Sequence, residues 1–373
     1  MPPAASTAPF APRFRGLDRV RHILAVSSCK GGVGKSTVAV NLAFALARRG
    51  RRVGLFDADV YGPSLPTLVR VEEAQVYQEG EAILPLVRDG VKLMSFGFVN
   101  REEEGRAAIL RGPMVSQVVN QLLTGTDWGE LDVLVIDYPP GTGDIQLTLA
   151  QIAPVRGAVI VTTPQRLSFV DVVKGIAMFD KLKAPTLTVV ENMAWYQPSP
   201  DAPPVRLFGE GARARLVREY GFRTSHEIPV RPEISADGDR GEPFVLARPD
   251  DPVTARFLAL ADEVWREMET LAAGRRTTPT LTYEVGANLV LTFPDGRKSE
   301  FSPVALRGLC RSAHRVNELT GERTERTEDI PADLYPTALR PSGNYAVAVE
   351  WSDGKPPSLF PYDQLAAAFP PSP

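Results

Sequence analysis

Lys30-Gly31-Gly32-Val33-Gly34-Lys35-Ser36-Thr37 stands between an apolar run ending at Val26 and a segment, starting at Val38, with helical spacing at Leu42, Ala45 and Leu46. Glycines at 31, 32 and 34 let the main chain curl with its N–H groups turned inward, and a helix starting directly behind them adds positive potential. A polyphosphate can be held there mostly by backbone. Gly31, Gly32, Val33 and Gly34 then form the cradle, and Lys35 meets the β- and γ-phosphates. The Ser36 hydroxyl sits on magnesium and Thr37 faces another phosphate oxygen. The usual spelling opens on a glycine where this chain has Cys29, and a second lysine, Lys30, follows it.

On either side of that loop, short apolar runs (Ile23 to Val26, Val53 to Phe56, Val133 to Ile136, Ala158 to Val161, Leu187 to Val190) alternate with longer segments of helical spacing. Continuous Val/Ile/Leu strands separated by helices imply a mostly parallel sheet flanked by helices, an α/β architecture. Carboxylates close two of the runs: Asp57 and Asp59 in Leu55-Phe56-Asp57-Ala58-Asp59, and Asp137 in Val133-Leu134-Val135-Ile136-Asp137. Strand C-termini face the ligand crevice of an open α/β sheet. Asp137 is therefore read as holding magnesium through water, and Asp57 or Asp59 as orienting an attacking water. The turn Tyr138-Pro139-Pro140-Gly141-Thr142-Gly143-Asp144 is suited to sensing a γ-phosphate.

With 373 residues the chain suggests about two or three domains. Hydrophobic residues at 43% and charged residues at 23% exclude wholesale disorder and coiled coil. A net charge of −3 offers no bulk attraction to nucleic acid or anionic lipid, so neither is expected as a partner. Two cysteines, Cys29 and Cys310, fit a reducing, cytoplasmic location. Residues 1–19 read as a flexible leader, 20–271 as the phosphate-binding domain, 272–280 as a polar linker, and 281–369 as a small α+β domain. That last segment carries an internal echo. Leu289, Leu291 and Phe293 alternate into Asp295-Gly296, and Val347, Val349 and Trp351 into Asp353-Gly354. Each copy reads as strand, turn, strand, short helix, and two unrelated hairpins with common turn chemistry remain the alternative.

Together KGGVGKST, LFDADVYGPSLP, LVIDYPPGTGD, VTTPQ and VVENM resemble the Mrp/ApbC family of P-loop ATPases, relatives of MinD and ParA, over about residues 20–270. The resemblance implies a homodimer closing around two ATP molecules. Lys30 would reach the partner's phosphates, Asp59 would position water, and Asn192 in Glu191-Asn192-Met193 would read the adenine edge. It also implies carriage of iron–sulfur clusters to apoproteins, with a 4Fe–4S cluster bridged between subunits by a Cys-x-x-Cys pair from each. This chain departs there, because Pro198 and Asp201 fall where the cysteines belong. A proline ring has no ligand atom, and a carboxylate replaces soft thiolates poorly.

LVLTFPDGRKSEF and VEWSDGK resemble the small domain at the N-terminus of γ-butyrobetaine hydroxylases and at the C-terminus of some chloroplast Mrp-like proteins, where closely spaced cysteines hold zinc. Here Cys310 remains while Ser312 and Arg315 take the other places. Cys310 and His314 are one helical turn apart, yet two ligands do not close a zinc site, so a packing cysteine and a surface histidine are expected. Arg48-Arg49-Gly50-Arg51-Arg52 reads as a helix ending complementing the dipole, and His22 and His226 as ordinary polar residues. The leading expectation is an ATP-hydrolysing dimeric switch serving iron–sulfur protein maturation. The alternatives are a nucleotide-gated client scaffold without a cluster and a MinD/ParA-like positioning ATPase.

Overall fold

The computed structural model describes residues 16–28, 30–72, 74–99, 112–141, 144–199, 201–211, 225–273, 278–310, 329–342 and 345–371. Cys29, Thr142, Gly143, Ser312, His314 and Arg315, all weighed above, lie outside them. The main sheet draws on β1 (Val20–Ser27), β2 (Val53–Asp57), β5 (Leu86–Arg88), β6 (Val91–Ser95), β7 (Leu131–Asp137), β8 (Gly157–Thr162), β9 (Thr186–Tyr196) and β10 (Ser225–Val230), while β3 (Gln78–Glu79) and β4 (Ala82–Ile83) form a separate ribbon. Its order is β10-β9-β8-β1-β7-β2-β6-β5. Every pairing is parallel except the β5–β6 hairpin.

All five apolar runs are strands of this sheet, and period-two alternation divides their side chains between two cores. Leu24, Val26, Val133, Val135, Val159 and Val161 face one side, packed against α1 (Lys35–Arg48) and the helix Pro252–Ala272. Ile23, Ala25, Leu134, Ile136, Ala158 and Ile160 face the other. There they meet α4 (Gly112–Gly125), α5 (Asp144–Ile152) and α6 (Arg166–Lys181); the one-turn helices α2 (Leu65–Leu68) and α3 (Phe96–Val99) follow β2 and β6. The sheet is thus buried on both faces.

Within the stretch read as leader, Gly16 donates its N–H to Thr124 O at 2.9 Å, and Leu17 packs on the second core. At the other end, each half of the internal echo gains a preceding strand. β11 (Thr280–Tyr283), β12 (Leu289–Thr292) and β13 (Lys298–Phe301) form one antiparallel sheet, and β14 (Pro336–Ser342), β15 (Ala346–Trp351) and β16 (Ser358–Pro361) the other. A short helix follows each, Pro303–Gly308 and Tyr362–Ala368. Both halves supply one core, in which Leu289, Leu291, Phe301 and Leu306 meet Val347, Val349, Trp351 and Phe360.

Candidate functional site

Gly32 and Gly34 adopt φ of 78° and 80°, which non-glycine residues enter only at a cost. They turn the chain from β1 into α1. Gly34 is the N-cap of that helix, and no side chain caps its first turn. A fourteen-residue helix therefore presents orphan N–H groups at the mouth of the loop. Lys35 is its first residue, with a side chain only 7% exposed. Its ammonium makes a close ion pair with Asp137 Oδ1 and donates to Ser36 Oγ at 3.2 Å.

The parallel register sets Asp57 opposite Asp137, and Asp137 beside Val26 of β1, so both carboxylates reach the same sheet edge as the loop. Both are buried. Burial and the neighbouring Asp137 charge push the Asp57 carboxyl up to about 7, against backbone hydrogen bonds from Leu65 and Asp59 and the Lys35 charge. Burial likewise raises Asp137, while Lys35 and a hydrogen bond from Ser36 pull it back. The ammonium of Lys35 pairs with Asp137 and its charge acts on Asp57, and the two buried carboxylates offer hard oxygens that fit a divalent cation. Among the described residues no group of three or more His, Cys, Asp or Glu could hold a metal alone. Magnesium does not need one, because it keeps waters and phosphate oxygens beside one or two protein ligands.

The two acids of the second strand differ. Asp57 accepts from the N–H groups of Asp59, Ser64 and Leu65 at 3.1, 2.9 and 3.1 Å and from Ser95 Oγ at 3.2 Å. It anchors the loop behind it. Asp59 is half-buried, and its Oδ1 accepts the Gly62 N–H at 3.2 Å. Lys30 is exposed; its carbonyl accepts Ser28 Oγ at 3.0 Å. Val33 is buried, and Thr37 gives its carbonyl to Asn41 Nδ2 at 2.9 Å. Asn192, within β9, is brought to the loop: its Nδ2 donates to Val33 O at 2.9 Å.

Sequence reasoning missed Ser95, the polar residue ending the apolar run of β6, and Gln146, whose amide ties the turn after Asp137. The other candidates have structural partners. Arg49 pairs with Asp262 at 2.6 Å, Arg52 with Glu130 and Asp132 at 2.6 and 2.9 Å, and Arg51 lies over the Trp265 ring. His22 and His226 contact Glu269 and Glu263 at 2.8 and 3.0 Å. Cys310 is buried in the C-terminal core with its Sγ 3.1 Å from Ser358 Oγ. The loop after β9 is closed by reciprocal backbone bonds between Tyr196 and Val205 at 2.8 and 2.7 Å. Pro198 and Asp201 are exposed on it, and Val205, Leu207 and Phe208 follow as exposed apolar side chains.

A glycine-rich loop feeding an uncapped helix, with acids on the neighbouring strand tips, defines a P-loop NTPase. Residues 19–265 match the ParA family described as NUBPL iron-transfer P-loop NTPase, and the chain belongs to it. Residues 283–366 match the family described as gamma-butyrobetaine hydroxylase-like, N-terminal. The chain is 49% identical over 356 residues to the chloroplastic Fe-S cluster assembly factor HCF101 of Oryza sativa subsp. japonica, covering 94% of this chain but 65% of that protein. It is 45% identical over 252 residues to the iron-sulfur cluster carrier protein of Aquifex aeolicus, covering 67% and 69%. A solved nucleotide-binding protein from Archaeoglobus fulgidus in complex with ADP is similar at TM-score 0.56 and 37% identity, over 65% of this chain and 94% of that one. No described helix is long and apolar enough to cross a membrane.

Proposed function

We propose that this chain is an ATP-hydrolysing switch that works as a homodimer with magnesium and acts in the assembly or transfer of iron–sulfur clusters to apoproteins. One observation carries the reading: Lys35 meets Asp137 at an uncapped helix N-terminus, with Asp57 one strand away. Phosphoryl transfer depends on positioning and charge neutralisation, and these residues supply both. Loop N–H groups and Lys35 bind the triphosphate. Ser36 and Asp137 would hold magnesium, which when bound neutralises phosphate charge. Of the two acids, Asp59 is assigned the attacking water, because Asp57 already accepts four hydrogen bonds from its surroundings. Asn192 braces the loop and is assigned the adenine edge. Exposed Lys30 is assigned the partner's phosphates, and exposed Val205, Leu207 and Phe208 fit a face that a second copy covers.

Titration calorimetry with magnesium and adenine nucleotide, followed by phosphate release, tests the enzyme. Lys35→Ala abolishes binding, whereas Asp59→Ala keeps it and accumulates a dimer on size-exclusion chromatography. Turnover retained in both variants contradicts the assignment.

Pro198 and Asp201 favour a second reading, a nucleotide-gated scaffold that recognises a client through its C-terminal unit without carrying a cluster itself. Anaerobic reconstitution with iron and sulfide separates the two. A coloured, iron-bearing protein supports carriage, and a colourless one supports the scaffold.

A further inference from the structure

The turn that follows Asp137 has few donors of its own, since Pro139 and Pro140 carry no N–H. It is tied at three points. Tyr138 donates its N–H to Val26 O at 2.9 Å, Gly141 donates to Ser28 O at 3.2 Å, and the carbonyls of Pro139 and Gly141 both accept from Gln146 Nε2. The Pro139 contact measures 2.8 Å and the Gly141 contact is closer still. Gly141 sits at φ 97°, so the backbone shape these ties enforce is one that glycine tolerates and most residues do not. Gln146 projects from the first turn of α5 and is 1% exposed.

A carboxamide has two donors and one acceptor oxygen. Here both donors go to carbonyls of a single turn. Oε1 is buried and has no hydrogen-bond partner among the described residues. Both described hydrogen bonds of this side chain therefore go to the turn. The ties also run in one direction. Gln146 fixes Gly141, and Gly141 binds Ser28 at the entrance of the phosphate loop, whose hydroxyl in turn donates to the Lys30 carbonyl. The same turn starts at Asp137, the residue assigned to magnesium.

We propose that Gln146 is a positioning residue for ATP hydrolysis: its amide sets the Tyr138–Gly141 turn against the phosphate loop, so that the site distinguishes a nucleotide bearing a γ-phosphate from one lacking it. The inference rests on the reading of the site as an ATPase. It requires no contact between Gln146 and nucleotide.

The test compares Gln146→Leu, which removes all polar atoms, with Gln146→Glu, which keeps the shape but turns a carboxylate toward two carbonyls. Melting temperature, ADP affinity, affinity for the non-hydrolysable β,γ-imido analogue of ATP, and kcat are measured for both and for the unaltered chain. Loss of an orienting hydrogen bond behind a metal-binding group typically lowers activity about 10- to 100-fold. We expect kcat and analogue affinity to fall on that scale while ADP affinity changes less than about threefold. Burial beside two carbonyls raises the introduced Glu, so protonation at lower pH returns one donor and its kcat recovers relative to the unaltered chain. Equal weakening of ADP and analogue alongside a lower melting temperature means a structural role only and overturns the proposal. Unchanged kcat in both variants overturns it as well. An unaltered chain that neither binds nor hydrolyses ATP removes the ATPase reading itself.

Discussion

Replacing Lys35 by Ala deletes the ammonium that pairs with buried Asp137 and whose charge also acts on buried Asp57. The side chains of Lys35 and Asp137 are 7% and 5% exposed, so neither charge is well hydrated. Removing one member of such a pair leaves the other charge uncompensated, at a cost of about 3–5 kcal/mol. Asp57 adds to it, because it stands opposite Asp137 in the register and loses the same cation. For a domain of this size about 2–4 °C accompanies each kcal/mol, which corresponds to a melting temperature lower by about 6–20 °C. The measurement is a thermal melt in EDTA without nucleotide, so that no divalent cation substitutes for the ammonium. Lys35→Ala combined with Asp137→Asn removes both charges and regains more than half of the loss, a coupling expected of groups in contact. Neither variant binds ATP by calorimetry. Lys35→Ala melting within about 2 °C of the unaltered chain, or a double variant that simply sums the single losses, refutes the argument that the pair is a buried, mutually dependent unit.

Three further outcomes follow from the same geometry. A Cβ on Gly34 lies 2.2 Å from Asn192 Nδ2 at a residue with φ +80°, so Gly34→Ala costs about 2–3 kcal/mol from the left-handed backbone and the displaced Val33 bond, and less on an Asn192→Ala background; a cycle of thermal melts reads the difference. Asp180 accepts Ser342 Oγ at 2.5 Å and Tyr345 OH at 3.2 Å, joining α6 to the C-terminal unit, and Asp180→Ala lowers stability by about 1–3 kcal/mol and opens that unit to limited proteolysis before the ATPase unit. Burial lowers the His22 ring below its ordinary value, with the Glu269 contact opposing, so the unfolded chain takes up a proton first as pH falls. Stability contributed by neutral His22 is therefore present above about pH 6.5 and lost on acidification through its folded value, and the gap in melting temperature between the unaltered chain and His22→Gln narrows from pH 7.5 to 5.5; a constant gap contradicts this.

The parts of this molecule legible in its sequence are those written in consecutive residues. The phosphate loop, the acids at strand tips and the five apolar runs each announce themselves within about ten residues. Two edge strands are hidden for a physical reason. β10 contains Pro229 and β14 contains Pro336 and Pro341, residues that argue against a central strand. Both strands are at sheet edges, each with a single neighbour, and the β10 register breaks at Pro229. The β5–β6 hairpin did carry a signal. Asp89 and Gly90 both have positive φ, the geometry that an Asp-Gly pair between apolar residues favours. Contacts across long separations were not legible at all. Asn192 to Val33 spans 159 residues, and Asp180 to Tyr345 spans 165; no local pattern encodes such meetings. They depend on strand order, which brings β9 and α6 beside elements far away in the chain.

The loop after β9 separates two things that the family resemblance joins. Its shape is maintained by the Tyr196–Val205 backbone pair, with Arg206 linked to Glu227 at 3.2 Å, and neither tie involves sulfur. Pro198 and Asp201 therefore stand on a loop whose described ties need no thiol, and the proposed nucleotide site is built on the tips of β1, β2 and β7. The chain's described cysteine is Cys310, packed in the C-terminal core and hydrogen-bonded to Ser358. The exposed apolar side chains of Val205, Leu207 and Phe208 follow on the same loop. Nucleotide binding and any cluster ligation therefore draw on different residues, so substitution at Lys35 is expected to remove ATP binding while leaving unchanged whatever iron the chain takes up on anaerobic reconstitution.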